Sequence, residues 1–451
     1  MIKKIKNMIA ALFTLQLFAQ GTEGIVDPAT GSVTAYSSVT EGQNMTPSQL
    51  ADFNGLSVEM KTYYNEKLLR KAGPRLVHEQ FGMPAPIPAR RGDRAEFRVR
   101  KTMGKALTPI VEGVTPKSEN MTIYPIYAEV EQYGSYQEYT DKISLVAIDP
   151  VISEATAACA EQAALTLDTV VREIINSGYS VAFAAKDGTR ATKRVELTEE
   201  HLHTVKDVFR NAAKLKANNA PKTADGNYVA IIHPYVAYDI MMAAGDLWRG
   251  VMSYAKPENM LKGEIGQLGG VRFCESSEAK IFKGDKFPLG DGNRVESLSA
   301  SASTSTGGVT TITVSDTLKA SDPELVGRWI TPAGTGKRYQ IASNTASTIV
   351  LTSQIETEIS AATKIYPGEG GKDNCAVFST LYMGGGGTYG VVDLGGKGTE
   401  IIAKPLGAGN DPLNQRCTIG WKSFKGAEIL HDEYMIRNES GSSFSNAADA
   451  N

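Results

Sequence analysis

Residues with chemical potential are scattered along this chain rather than grouped. Gly385-x-Gly387-x-x-Gly390 has the glycine spacing that lets a backbone cradle phosphate, which requires a strand before it and a helix after it. Val391-Val392-Asp393-Leu394 follows and reads as strand, so a glycine-rich turn is expected. His201 and His203 lie two apart on an expected helix over residues 198–217, where they point to different faces and share no metal. His78, His233 and His431 stand singly and are read as structural or surface histidines rather than general bases. Cys159, Cys274, Cys375 and Cys417 form no C-x-x-C, which excludes a zinc ribbon or a thioredoxin-type site and leaves small buried hydrophobes in a reducing compartment. Arg91-Gly92-Asp93 spells an adhesion tripeptide, yet it sits in a charged turn before a strand. No G-x-x-x-x-G-K-[ST], H-E-x-x-H or G-x-S-x-G occurs. The expectation is no catalysis, no metal site and no cofactor.

The elements that carry these residues suggest a framework instead. Ala95, Phe97 and Val99 alternate with Arg94, Glu96, Arg98 and Arg100 as a strand, and residues 121–139 form its partner. About 20 residues rich in Gly and Pro join the two, which describes a long two-stranded ribbon with a mobile tip. Charge or tyrosine is expected on both faces, and an isolated ribbon is marginal in water, so support from a neighbouring copy is expected. Asp149-Pro150 then opens a helix of roughly 40 Å that Gly178 ends, with Ile152, Ala155, Cys159, Ala163, Leu167, Val170, Val171 and Ile174 as its apolar stripe. Further on, Tyr228 to Ile232 reads as a strand stopped by His233-Pro234, with a helix after it. Between about 291 and 367 the helical period gives way to Ser, Thr, Gly and Val in alternating strands, the pattern of a small inserted all-β domain.

Composition narrows the function classes. The chain has 451 residues, 41% hydrophobic and 22% charged, ordinary for globular proteins and ample for about three structural units. Lys+Arg 47 against Asp+Glu 50 gives a net charge of −3, which excludes the strongly basic balance of a dedicated nucleic-acid binder. Lys3, Lys4 and Lys6 precede an apolar run to Ala19 that outlines a secretory signal. Leu17 at position −3 and the interrupting Gln16 favour an amphipathic helix. The run is too short to span a bilayer as a helix. Residues 20–56 have the composition of an extended arm, and a helical pattern begins at Ser57.

Several segments carry a family resemblance. Thr62-Tyr63-Tyr64-Asn65-Glu66-Lys67-Leu68-Leu69, Leu76-Val77-His78-Glu79-Gln80-Phe81-Gly82, Glu112-Gly113-Val114-Thr115-Pro116, Gln132-Tyr133-Gly134 and Ala147-Ile148-Asp149-Pro150 resemble the major capsid proteins of tailed phages related to coliphage N-four. Ala230-Ile231-Ile232-His233-Pro234, Gly263-Glu264-Ile265-Gly266, Gly270-Val271-Arg272-Phe273 and Asp411-Pro412-Leu413-Asn414-Gln415-Arg416 continue it in order, over about residues 57–288 and 374–438.

The resemblance implies an α+β fold of the Hong Kong 97 capsid type. Residues 1–56 become an N-terminal arm, 57–87 a helical lead-in, 88–140 the E-loop ribbon, and 141–194 the peripheral domain with its spine helix. Residues 195–290 and 368–410 form the axial domain, 291–367 an inserted all-β surface domain, and 411–451 the return to the peripheral domain and tail. It implies an icosahedral shell of hexamers and pentamers in the virion, assembled in host cytoplasm, with a portal at one vertex, scaffold and decoration proteins, non-specifically held DNA and no membrane. Arg94, Arg98, Arg100 and Glu129 become candidate contacts between subunits, and Lys3, Lys4 and Lys6 candidate contacts to scaffold or DNA. Two other readings are a secreted β-rich adhesin or surface-layer protein and an encapsulin-like compartment.

Overall fold

Alanine, cysteine and leucine four residues apart make the slim face of the longest helix among the described residues, Val151–Ile175. The computed structural model that contains it describes residues 25–26, 33–34, 76–141 (except 89, 91, 102, 108, 110, 111, 114, 116, 117 and 119), 151–250, 263–394 (except 357 and 358), 399–404 and 415–451. Residues 1–69 are one unit, in which Ile25–Val26 pairs antiparallel with Val33–Thr34. Residues 70–451 are the other unit and hold every element named below. Lys3, Lys4, Lys6, the helical pattern from Ser57 and the Asp149-Pro150 cap lie outside the described residues.

Ala155, Cys159 and Ala163 of the long helix pack on Ile419 and Trp421. Their small size brings the Cys159 thiol to within 3.9 Å of the Ile419 carbonyl oxygen, and the Trp421 indole N–H donates to Gln162 Oε1 at 3.1 Å. Those partners belong to the 14-residue strand Arg416–Ile429, the spine of a five-stranded sheet. Along one edge it pairs with Glu131–Thr140, and along the other with Glu400–Lys404 and then Tyr389–Asp393. The segment 121–139, read as one strand, is two. Ile123–Glu129 pairs with Arg94–Arg100, whereas Glu131–Thr140 crosses to the 14-residue strand. The partners change at Val130, whose N–H bonds to the Asp93 carbonyl.

A larger, eight-stranded sheet is built round Val377–Met383, buried at every position as a two-sided central strand must be. Tyr228–Ile232 flanks it on one side and Met435–Ser440 on the other. Alternation sorts its two faces. Ala230, Ile232, Phe378 and Tyr382 meet Val208, Ala212, Leu215, Val236 and Ile240 of the helices Val205–Ala217 and Pro234–Ala244. Val229, Ile231, Leu381 and Met383 meet Val171 and Ile175, so the long helix serves both sheets.

The helix expected over 198–217 begins at Thr204 instead. Thr204 and Asp207 form a reciprocal capping box, with the Thr204 hydroxyl donating to Asp207 Oδ2 at 2.8 Å. Upstream, the Thr198 N–H donates to His201 Nδ1 at 3.0 Å, which turns the chain before the helix starts. His201 and His203 therefore both precede the helix.

Six strands from Leu298–Thr306 to Lys364–Pro367 close a barrel. Leu298, Ile312, Ile330, Ile341, Ile349 and Ile365 fill it, with Phe287 joining them from the short strand Phe287–Pro288. The chain leaves the large sheet at Phe282 and rejoins it at Val377, and these two residues are cross-strand partners. No helix among the described residues is long and apolar enough to cross a membrane.

Candidate assembly surface

Register assigns each ribbon side chain to a face. Ala95, Phe97 and Val99 stand opposite Ala128, Ile126 and Tyr124, while Arg94, Glu96, Arg98 and Arg100 stand opposite Glu129, Tyr127, Pro125 and Ile123. The first face is not polar, and its proximal half is covered by the same chain. Phe97 and Ala128 are buried with Ile87, Val392 and Leu430. The Phe97 ring lies where Gly390 has no Cβ, and any side chain there would overlap the ring. Where support from a neighbouring copy was expected, the base of the ribbon is supported by its own chain.

The distal end is another matter. Ile123, Tyr124, Met121, Met103 and Leu107 are 46–82% exposed. Large apolar groups crowded onto one exposed end are the mark of a surface that associates.

Three of the four residues singled out as contacts between subunits are engaged within the ribbon. Arg94 and Glu129, directly opposite, form an ion pair at 2.7 Å with both side chains more than half exposed. Arg98 pairs with Glu96 at 2.9 Å on the same face. Exposed pairs of this kind contribute about 0.2–1 kcal/mol, and only the Arg94–Glu129 pair, which crosses between strands, favours this register. Arg100, opposite Ile123 at the distal end, forms no ion pair with a described residue.

The other chemically suggestive residues are absorbed by structure. The strand Tyr389–Asp393 follows the glycine-rich segment. A side chain at Gly385 would overlap the Lys222 carbonyl, and the Thr388 hydroxyl donates back to the Gly385 carbonyl at 3.2 Å, so this turn is folded against its own chain. His78 Nδ1 lies 2.6 Å from Asp168 Oδ2, the orienting half of a nucleophilic triad, but the histidine is fully buried and out of reach of any substrate. His203 Nε2 sits 2.6 Å from the Tyr382 hydroxyl. His233 caps the helix after it, its Nδ1 accepting the Tyr235 N–H at 3.2 Å. Cys159, Cys274 and Cys417 are buried free thiols, and Cys375 is half-buried. Among the described residues no group of three or more His, Cys, Asp or Glu is placed to hold a metal.

Burial has a consequence for acid stability. It pushes His203 and His233 down to about 4 from the usual 6.5, with the Asp207 carboxylate pulling His203 upward and Arg190 pushing it down. Both fold as neutral rings, so their contribution is complete above pH 6.5 and is lost as pH falls from 6.5 towards 4. For His233 the shift corresponds to about 3 kcal/mol, and His203 acts in the same direction. Urea unfolding at pH 7.5 and 4.5 is expected to show a loss of several kcal/mol, reduced in His203→Asn; equal stability at the two values would refute this.

The sequence matches no protein-family model and no curated protein. Its fold is similar to that in the capsid of Ralstonia phage GP4, with 11% identity, 88% of this chain and 97% of that chain covered, and a TM-score of 0.52. It is also similar to the capsid asymmetric unit of Cyanophage Pam1, with 12% identity, 87% and 99% covered, and a TM-score of 0.50. The chain has the fold of phage capsid proteins, mixed α and β with few helices among its described residues.

Proposed function

We propose that this chain is the major capsid protein of a tailed double-stranded DNA phage, related to those of the coliphage N-four group, with the Hong Kong 97 form of the fold. What carries the reading is the extent of the fold likeness, which takes in 88% of this chain and 97% of the Ralstonia phage GP4 capsid chain. The ribbon supports it, because an anchored base and an exposed apolar end suit an element that reaches a neighbour. Identical chains then meet head to tail, and such heterologous contacts close into rings of five and six and into a shell.

In this proposal 1–56 is the arm, 57–87 its lead-in, 88–140 the E-loop, and 141–194 the peripheral domain. Residues 195–290 and 368–410 are the axial domain, and 411–451 the return and tail. The barrel within 291–367 is an inserted module that projects outward, a placement favoured by the adjacency of its entry and exit at Phe282 and Val377. The protein works in the virion shell after assembly in host cytoplasm, with a portal at one vertex, scaffold and decoration proteins as partners, and DNA enclosed without sequence readout. It performs no catalysis. Arg100 and the arm lysines Lys3, Lys4 and Lys6 are retained as contact candidates. Arg94 and Glu129, exposed while they pair across the ribbon, and Arg98, which pairs within its own strand, are contact candidates as well.

Sedimentation velocity of the purified chain tests this. Capsomer-sized and shell-sized species are expected, and they are expected to disappear when Tyr124 and Leu107 are both changed to Ser. Monomer alone, with and without the products of the neighbouring genes, would overturn the reading.

A further inference from the structure

The helix Val205–Ala217 carries an unbalanced charge. Lys206, Arg210 and Lys214 follow one another at four-residue spacing along its exposed face, and Lys216 lies on the opposite flank of that face. Its one carboxylate, Asp207, is buried, where it caps the helix and binds Arg190 at 2.7 Å. None of the four cations forms an ion pair with a described residue; the Lys214 ammonium donates only to the Ser180 hydroxyl, at 3.2 Å.

The local role of a cation explains only part of this row. Lys214 and Lys216 lie in the last turn, where positive charge complements the helix dipole. Lys206 lies in the first turn, where it opposes that dipole, and Arg210 sits mid-helix, where the dipole asks for nothing. In a chain with a net charge of −3, this row is a local concentration of positive charge with no ion-pair partner among the described residues, and it attracts an anionic surface. The row from Lys206 to Lys214 is about 12 Å long, and duplex DNA presents roughly seven phosphate charges over that length.

We infer that the outer face of this helix is a phosphate-contact surface that holds double-stranded DNA by its backbone, without reading bases. The inference rests on the container reading for its setting, and it assigns to the axial region the charge contact otherwise sought in the N-terminal lysines.

The test compares wild type with K206Q/R210Q/K214Q, polar replacements on an exposed face that keep good helix formers. Binding to a 30-base-pair duplex is measured between 50 and 200 mM salt, with thermal unfolding and electron micrographs of the same preparations. Weaker binding, by tenfold or more at 50 mM salt, is expected, with the slope of log K against log salt reduced by about 2.7 for three lost phosphate contacts. The conservative set K206R/R210K/K214R, which keeps every charge, is expected to bind as wild type. Unchanged affinity and slope in the glutamine variant, or no DNA binding by wild type, overturns the inference. Loss of capsomers with DNA binding intact also overturns it and assigns the row to an acidic face of a second copy. If wild type binds DNA through this row but forms no shell, the container reading fails and this surface stands.

Discussion

Glu439→Gln is expected to lower the unfolding free energy by about 3–5 kcal/mol, because it strips the counter-charge from two arginines at once. Glu439 is 1% exposed. Its Oε1 accepts from Arg194 at 2.5 Å and from Arg437 at 2.9 Å, and its Oε2 accepts from Arg194 Nε at 2.7 Å. The Arg194 guanidinium also lies 3.5 Å over the Phe282 ring, and burial pushes the Arg437 side chain downward in pKa. Glutamine keeps the shape and one acceptor but leaves two cations facing each other away from water. Urea unfolding followed by circular dichroism measures the loss, and a change below 1 kcal/mol would show that these arginines find solvent or another partner. Because Phe282 lies on the strand leading to the barrel, hydrogen exchange around 282–288 is expected to rise as well.

Gly390→Val is expected to free the ribbon without unfolding the body. The new side chain occupies the place of the Phe97 ring, which must leave its cluster with Ile87, Ala128, Val392 and Leu430. Removing an aromatic ring from a packed core costs about 3 kcal/mol, and Phe97 is the largest buried side chain of the two ribbon strands. Amide exchange in Arg94–Arg100 and Ile123–Glu129 is expected to quicken about a hundredfold, while Val377–Met383 keeps its protection. Shells are expected to be absent, since a ribbon without a fixed root bears the full ordering entropy at each contact. Unchanged ribbon protection would refute the anchoring argument, and normal shells with an unprotected ribbon would remove the ribbon from the assembly mechanism.

These effects depend on features that differ in how far the residues announce them. The long helix was legible because its four-residue row of small apolar groups has one period and no competitor. The barrel region was legible as β structure because Ser, Thr and Val alternate in short runs, as in Val309–Val314. The break at Val130 was not read, although the parity of the inward residues changes there, from Ile126 and Ala128 to Tyr133 and Tyr139, and only the distant partners decide which pairing each half takes. Thr198-Glu199-Glu200 imitates a helix start, and the competing hydrogen bond from Thr198 to His201 defeats it. The anchoring of Phe97 depends on a glycine almost three hundred residues away, and a missing Cβ leaves no trace in periodicity. The pairing of Arg194 with Glu439 joins residues 245 apart, and neither neighbourhood marks it. In the candidate surface, residue types identified the charged face of the ribbon, but only register revealed that Arg94 and Glu129 satisfy each other.

Negative-stain electron microscopy of the chain, expressed alone and with its neighbouring genes, decides whether identical copies assemble. Rings of five and six and closed icosahedral particles are predicted, lost in Gly390→Val and retained in K206Q/R210Q/K214Q. Monodisperse single copies under both conditions would contradict self-assembly, and with it the capsid function.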